Sequence, residues 1–91
     1  MKATKIKMQH GCYYSQKPVE IDSIWITGCA KPGYYKKADL YDYLQTNPGT
    51  IQVDIWPYPH LIPAVSFRGE KYVRSTPDPY RHDDLMDLPR E

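Results

Sequence analysis

Proline limits the folds open to this chain more than any other residue type, because nine of the 91 residues are prolines and they are spread over the whole length. A proline has no backbone N–H to donate, so it ends a strand or confines it to the edge of a sheet. Long central strands are therefore excluded. We expect short strands separated by turns.

The size and composition of the chain predict one small domain spanning residues 1–91, with a C-terminal tail (77–91) that docks on the core. A hydrophobic content of 41% is typical of a folded globular protein. The longest apolar run, residues 24–26, is too short to span a membrane, and no secretory segment follows the N-terminus. These features predict a cytoplasmic protein, in which two cysteines do not form a disulfide framework.

The apolar pattern predicts five strands and one helix. Strands are expected at residues 4–9, 19–27, 50–56, 64–67 and 71–75, with a helix at 36–46. The second strand changes phase midway, which predicts a bulge at Asp22-Ser23. The order β-β-α-β-β-β predicts an α+β fold, in which an antiparallel sheet of about five strands packs against one helix in two layers.

Three local patterns refine this prediction. Leu40, Tyr43 and Leu44 form the apolar stripe of the helix, whose start lacks a capping side chain and could hold water or an anion. The segment 56–60 contains two prolines and is predicted to form an extended, polyproline-like arm. The tail at 83–89 is predicted to form one helical turn that lays Leu85 and Leu88 on the core.

The stretch Tyr72–Pro89 resembles the ending of a family of small bacterial and phage proteins, the domain of unknown function 3892 type. The resemblance rests on the run Tyr-Val-Arg-Ser-Thr-Pro-Asp at residues 72–78 and on the close Asp-Leu-Met-Asp-Leu-Pro at residues 84–89. It implies the α+β layout and the docked tail. It implies no activity, because none is established for the family.

Metal binding and catalysis have little support in the sequence. A zinc site could be drawn from His10, Cys12, Cys29 and either His60 or His82, but the tight ligand pairs of structural zinc sites are missing. Ser75, His60 and Asp78 could form a catalytic triad, yet no nucleophile elbow surrounds them. We therefore predict a protein that is not an enzyme and has no metal, no cofactor and no catalytic residues.

Aromatic and cationic residues occur together in the predicted loops. Rings can stack on a nucleobase, whereas lysines at a helix start and arginine forks suit a phosphate. These residue types predict a site for a nucleotide-like ligand, with the rings and cations brought together beside the helix start. Its candidate residues are Tyr34, Tyr35, Lys36, Lys37, Trp56, Tyr58, His60, Arg74 and Arg81. The alternative is that the tyrosines only cover sheet edges and pack against prolines.

The leading prediction is a binding module, expected to be a homo-oligomer, that sequesters a nucleotide-derived signal in the manner of a phage counter-defence protein. One alternative is a protein–protein adaptor that uses the aromatic-proline arm 56–60. The other alternative is a single-stranded nucleic-acid binder. A net charge of +1 argues against this last class, which usually carries a strongly basic face.

Overall fold

The computed structural model describes residues 1–76 and 83–91, which contain one α-helix, six strands and two short 3₁₀ helices. The α-helix, α1, spans Lys37–Thr46, and the 3₁₀ helices span Pro18–Glu20 and Asp84–Asp87. The strands are β1 (Lys2–Met8), β2 (Ile21–Thr27), β3 (Gly33–Lys36), β4 (Gln52–Val53), β5 (Leu61–Val65) and β6 (Lys71–Ser75). The predicted α+β class is confirmed. Within these ranges no helix has the length and apolar character needed to cross a bilayer.

The larger sheet has the strand order β3-β2-β1-β4 and is mixed, not wholly antiparallel. β2 runs antiparallel to both β1 and β3, whereas β4 runs parallel to β1 through the pairs Lys2↔Gln52 and Ala3↔Val53. The helix α1 causes this arrangement, because it carries the chain from the β3 edge to the β4 edge and β4 then runs in the direction of β3. The prediction of a single antiparallel sheet is corrected to two sheets.

The strand β3 was not predicted from the sequence, which placed its two tyrosines in a loop. It pairs with β2 through Trp25↔Tyr34 and Ile24↔Tyr35, and α1 begins directly after it at Lys37. The sequence Gly-Tyr-Tyr-Lys has no alternation of apolar and polar residues, so periodicity gave no signal for a strand.

The predicted bulge in the second strand is confirmed. Lys7 pairs with Ser23 and Met8 pairs with Ile21, so Asp22 is an extra residue on β2. The extra residue shifts the phase of the strand. As a result, Ile21 and Ile24 both point into the core although they are three residues apart.

The predicted proline arm is a tight turn and not an extended segment. The Trp56–Pro57 peptide is cis, Tyr58 has a φ of 61°, and the backbone N–H of Tyr58 donates to the carbonyl of Ile55 over 2.6 Å. The hydrogen bond between Tyr58 and Ile55 closes a four-residue turn, which reverses the chain direction. The prediction of a polyproline arm is therefore wrong.

The chain returns from this turn to pair with β4. The N–H of Val53 donates to the carbonyl of Pro59 over 2.8 Å, and Gln52 bridges to His60. This return also limits β4 to two residues, although the sequence predicted a strand over 50–56. Ile51 and Val53 are buried as predicted.

The hairpin β5–β6 is longer than predicted and includes a proline. β5 begins at Leu61 instead of residue 64, and Pro63 lies opposite Val73. A proline is tolerated there because β5 is an edge strand of a two-stranded sheet.

The two sheets, the helix and the tail share one core. Leu40 and Leu44 of α1 are buried as predicted, whereas 39% of Tyr43 is exposed. Leu85 and Leu88 of the tail are buried, which confirms their predicted packing. The buried apolar side chains are Ala3, Ile6, Met8, Ile21, Ile24, Ile26, Leu40, Leu44, Ile51, Val53, Leu61, Val73, Leu85, Met86 and Leu88.

The end of the tail extends the larger sheet beside β1. The N–H of Ile6 donates to the carbonyl of Pro89 over 2.9 Å, and the N–H of Glu91 donates to the carbonyl of Ile6 over 3.1 Å. The tail therefore lies along the same side of β1 as β4, which pairs with β1 only at Lys2 and Ala3.

Candidate functional site

The aromatic residues that were predicted to form one site lie at opposite edges of the larger sheet. Tyr34 and Tyr35 belong to β3, whereas Trp56 and Tyr58 belong to the turn that follows β4. Because β2 and β1 lie between these edges, the two groups are three inter-strand spacings apart, about 14 Å. The predicted convergence of the rings beside the start of α1 is wrong.

The two lysines predicted to hold a phosphate both have protein partners. Lys36 Nζ lies 3.0 Å from both carboxylate oxygens of Asp22, and its hydrogen bonds hold the pKa of that carboxyl below the usual range. Lys37 Nζ donates to the carboxylate of Glu70 and to the carbonyl of Val19. The start of α1 lacks a capping side chain, as predicted. Both lysines beside this helix start are nevertheless paired with carboxylates of the protein. The prediction that they bind a phosphate is therefore not supported.

Tyr34 lies on the outer face of the larger sheet, near an aromatic ring and two charged side chains. Its ring meets that of Trp25 edge to face, with 5.1 Å between the centroids. Lys5 Nζ lies 4.8 Å from the Trp25 ring centroid and 3.8 Å from a carboxylate oxygen of Glu91. Burial, and then the Glu91 carboxylate, raise the pKa of Tyr34. Tyr34 is thus a packed sheet-face residue that points away from the core.

Tyr58 and His60 line a hollow of about 480 Å³ at the β4 edge. Lys2 Nζ lies 5.3 Å from the Tyr58 ring centroid, so this ring lies close to the start of β1. Trp56 sits on the same turn and is 73% exposed. The hollow is lined by Gln52, Pro57, Tyr58, Pro59, His60, Thr76 and Asp84.

Of the two arginines of the predicted site, Arg74 is the one that the structure describes. Arg74 lies on β6 opposite Ile62, and its buried Nε has no hydrogen-bond partner within residues 1–76 and 83–91. It is not among the lining residues of the β4-edge hollow. Arg81 lies outside the described residues.

An apolar pocket of about 300 Å³ lies between α1 and the core-facing side of the larger sheet. We call it the helix pocket. Tyr35 is one of its lining residues, and no other described residue of the predicted site is. Its lining residues are Met1, Ile26, Cys29, Tyr35, Asp39, Leu40, Tyr43 and Ile51.

Two polar side chains of the helix pocket are turned toward the backbone. The Tyr35 hydroxyl donates to the carbonyl of Lys31 over 2.5 Å, and the Cys29 thiol lies 3.9 Å from the carbonyl of Ile26. Burial, and then the neighbouring Cys29, raise the pKa of Tyr35, so its hydroxyl stays protonated at neutral pH. The pocket therefore presents ring faces and aliphatic side chains to a ligand.

Sequence reasoning assigned no binding role to most of the pocket residues. It placed Leu40 and Tyr43 in the apolar stripe of the helix and did not consider Asp39. The spacing of Asp39 and Tyr43 was the available signal, because residues four apart lie on one face of a helix. That face flanks the buried stripe and so borders the core.

The zinc and triad alternatives find no geometric support within the described ranges. The Cys12 thiol donates to Glu20 over 3.4 Å, and no group of three or more His, Cys, Asp or Glu residues in these ranges is placed to hold a metal ion. The Ser75 hydroxyl donates to Asp83 and not to a histidine. His82 and Asp78, which belonged to these alternatives, lie outside the described residues.

Comparison of the chain with protein-family models, with curated proteins and with solved structures finds no match. The resemblance of the tail to the uncharacterised bacterial and phage family stays a prediction.

Proposed function

We propose that this chain is a non-enzymatic cytoplasmic binding module whose helix pocket holds the ring of a small molecule and thereby sequesters it. The observation that carries the proposal is the apolar cavity of about 300 Å³ beside Tyr35 and Leu40. Ligand sites in proteins are concave and mostly apolar, with a few polar groups that set orientation. The helix pocket has this character.

The volume of the pocket limits the size of the ligand. Small-molecule sites span about 300–1,000 Å³, so this pocket is at the lower limit and suits one ring or a fused pair with a short substituent. A ligand of this size makes few contacts, and we expect dissociation constants of about 0.1–1 mM for simple ring compounds. A nucleobase is within this size range, whereas the phosphates of a nucleotide have no free lysine at the start of α1 to bind them.

Titration of the protein with indole, followed by ¹H–¹⁵N NMR, tests the proposal. The largest shift changes are expected at the amides around Cys29, Tyr35 and Leu40. The variant Cys29→Met adds volume inside the pocket and should weaken binding about tenfold. The variant Cys12→Met is the matched control, because Cys12 is also a half-buried free thiol but lies outside the pocket. Equal affinity in the two variants would reject the pocket as the binding site.

A second candidate function, the protein–protein adaptor, is favoured by the exposure of Trp56. Its side chain is 73% exposed and that of Tyr58 is 44% exposed, and both are presented on one turn. Tryptophan and tyrosine are the side chains most enriched in interface hot spots. The turn presents them on a fixed backbone, which lowers the entropic cost of binding.

Photo-crosslinking tests whether Trp56 contacts a partner protein or is exposed without a binding role. A photoreactive phenylalanine analogue at position 56 is compared with the same analogue at position 67, since Phe67 is 96% exposed and lies in the β5–β6 loop. An adaptor gives one discrete cross-linked partner at position 56 and none at position 67. The same products at both positions would reject the adaptor.

A further inference from the structure

We propose that the ligand of the helix pocket is a small aromatic amine, whose ring enters the pocket and whose ammonium group meets Asp39. This inference rests on the proposed function and adds the charge of the ligand. It follows from the charges around the pocket, which differ from those predicted from the sequence. The sequence suggested an anion at the start of α1, whereas the pocket beside that start carries a carboxylate.

Among the described residues, Asp39 is the one acidic side chain in the wall of the helix pocket. It lies in the first turn of α1 and is exposed to solvent at the edge of an otherwise apolar pocket. Within the described part of the chain, its carboxylate makes no ion pair and no side-chain hydrogen bond, unlike Asp42 one turn later, which pairs with Lys71 at 3.2 Å. A cationic ligand group would supply the missing partner.

The nearby cations of the protein do not take this role. Lys36 and Lys37 are engaged with Asp22 and Glu70. The amino group of Met1 donates to the carbonyl of Thr50 over 3.2 Å. The carboxylate at the pocket edge is therefore open to a cation from outside the chain.

Two tyrosine rings of the wall also suit a cation. Tyr35 and Tyr43 line the same pocket as Asp39, and Tyr43 lies one helical turn beyond it. An ammonium group near the face of a tyrosine is attracted by the negative face of the ring. An apolar floor, aromatic walls and one carboxylate at the edge together match an amine joined to a ring by a short chain.

Three probes of matched shape test the inference: phenethylamine, 2-phenylethanol and 3-phenylpropionate. At neutral pH we expect the amine to bind about fivefold more tightly than the alcohol, and the carboxylate to bind most weakly. The variant Asp39→Asn keeps the shape of the side chain and should remove the preference for the amine over the alcohol. The control Asp42→Asn, on the same helix but outside the pocket, should keep the preference.

The outcomes separate the two proposals. If the amine and the alcohol bind equally well, or if the preference survives in Asp39→Asn, the charge assignment is overturned and the pocket remains a ring-binding site. If none of the three probes binds to a protein whose NMR spectrum shows it to be folded, both proposals are overturned.

Discussion

Hydrogen bonds between Asp83 and Ser75 join the tail to the last strand, β6. The Asp83 carboxylate accepts hydrogen bonds from the backbone N–H of Ser75 at 3.2 Å and from the Ser75 hydroxyl. The same carboxylate caps the tail turn by accepting from the N–H of Leu85 at 3.0 Å. One side chain thus joins β6 to the turn that buries Leu85.

Replacement of Asp83 by alanine should therefore destabilise the whole fold. Loss of the cap costs about 1 kcal/mol, and the unpaired N–H and hydroxyl of buried Ser75 add about 1–2 kcal/mol. Urea unfolding should show a loss of about 2–3 kcal/mol for Asp83→Ala. Asp42→Ala, which removes an exposed ion pair, should lose less than about 1 kcal/mol. Equal losses would contradict this role of Asp83.

Arg90 should hold the loop after β1 in place. Its guanidinium donates to the carbonyls of Tyr13, Ser15 and Met86 over 2.5, 2.8 and 3.0 Å. Lysine lacks the planar fork that reaches three carbonyls at once, so Arg90→Lys should fail to replace it. In both Arg90→Lys and Arg90→Ala, we expect faster amide hydrogen exchange in residues 12–17 with little change in β2. Unchanged exchange in this loop would show that Arg90 does not order it.

Glu20 should contribute to stability in a way that is lost in acid. Hydrogen bonds from Ser15 and then from Cys12 lower the pKa of Glu20 below its ordinary value of 4.5. A pKa that is lower in the folded state stabilises the fold above the ordinary value, and this contribution is lost as the pH falls through the folded value.

Urea unfolding between about pH 6 and about pH 2.5 checks this expectation. Stability should fall less steeply toward acid in Glu20→Gln than in the natural chain. Some slope should remain, because Lys36 also lowers the pKa of Asp22. Superimposable pH profiles for the two proteins would contradict the role of Glu20.

The thiol of Cys12 should become more reactive when Glu20 is neutralised. The hydrogen bond to Glu20, burial and the charge of Glu20 raise the pKa of Cys12. The thiolate is the reactive form, so a raised pKa slows alkylation at neutral pH. Iodoacetamide should modify Cys12 faster in Glu20→Gln, whereas Cys29 in the same molecule serves as the internal control. An equal acceleration at both thiols would indicate general loosening instead.

The parts of the fold that sequence could predict are those with a regular apolar pattern. The alternation of apolar and polar residues predicted β1 and β2, and the break in that alternation predicted the bulge at Asp22. Leucines at helical spacing located α1, and Leu85 and Leu88 located the docked tail. In each case the buried face has a period that the sequence displays directly.

The remaining features depend on tertiary contacts that have no local signature. β3 forms because β2 offers it a partner, and the turn at residues 55–58 returns the chain to β4. These two features separate the rings that sequence placed together, and of the described residues of the predicted site only Tyr35 lines the helix pocket.

Two further predictions from the sequence, a homo-oligomer and binding of single-stranded nucleic acid, stay predictions. Among the described residues, β3 at one edge of the larger sheet and both strands of the β5–β6 sheet offer edges at which a second copy could pair. Sedimentation velocity measures the oligomer directly. The salt dependence of binding to a labelled single-stranded oligonucleotide tests the prediction of nucleic-acid binding.

Intermolecular NOEs between phenethylamine and the protein test the binding account most directly. The account predicts NOEs from the phenyl protons to the methyl groups of Ile26, Leu40 and Ile51, which line the helix pocket. Contacts confined to Trp56 and Tyr58, or none with ligand in excess, would contradict it.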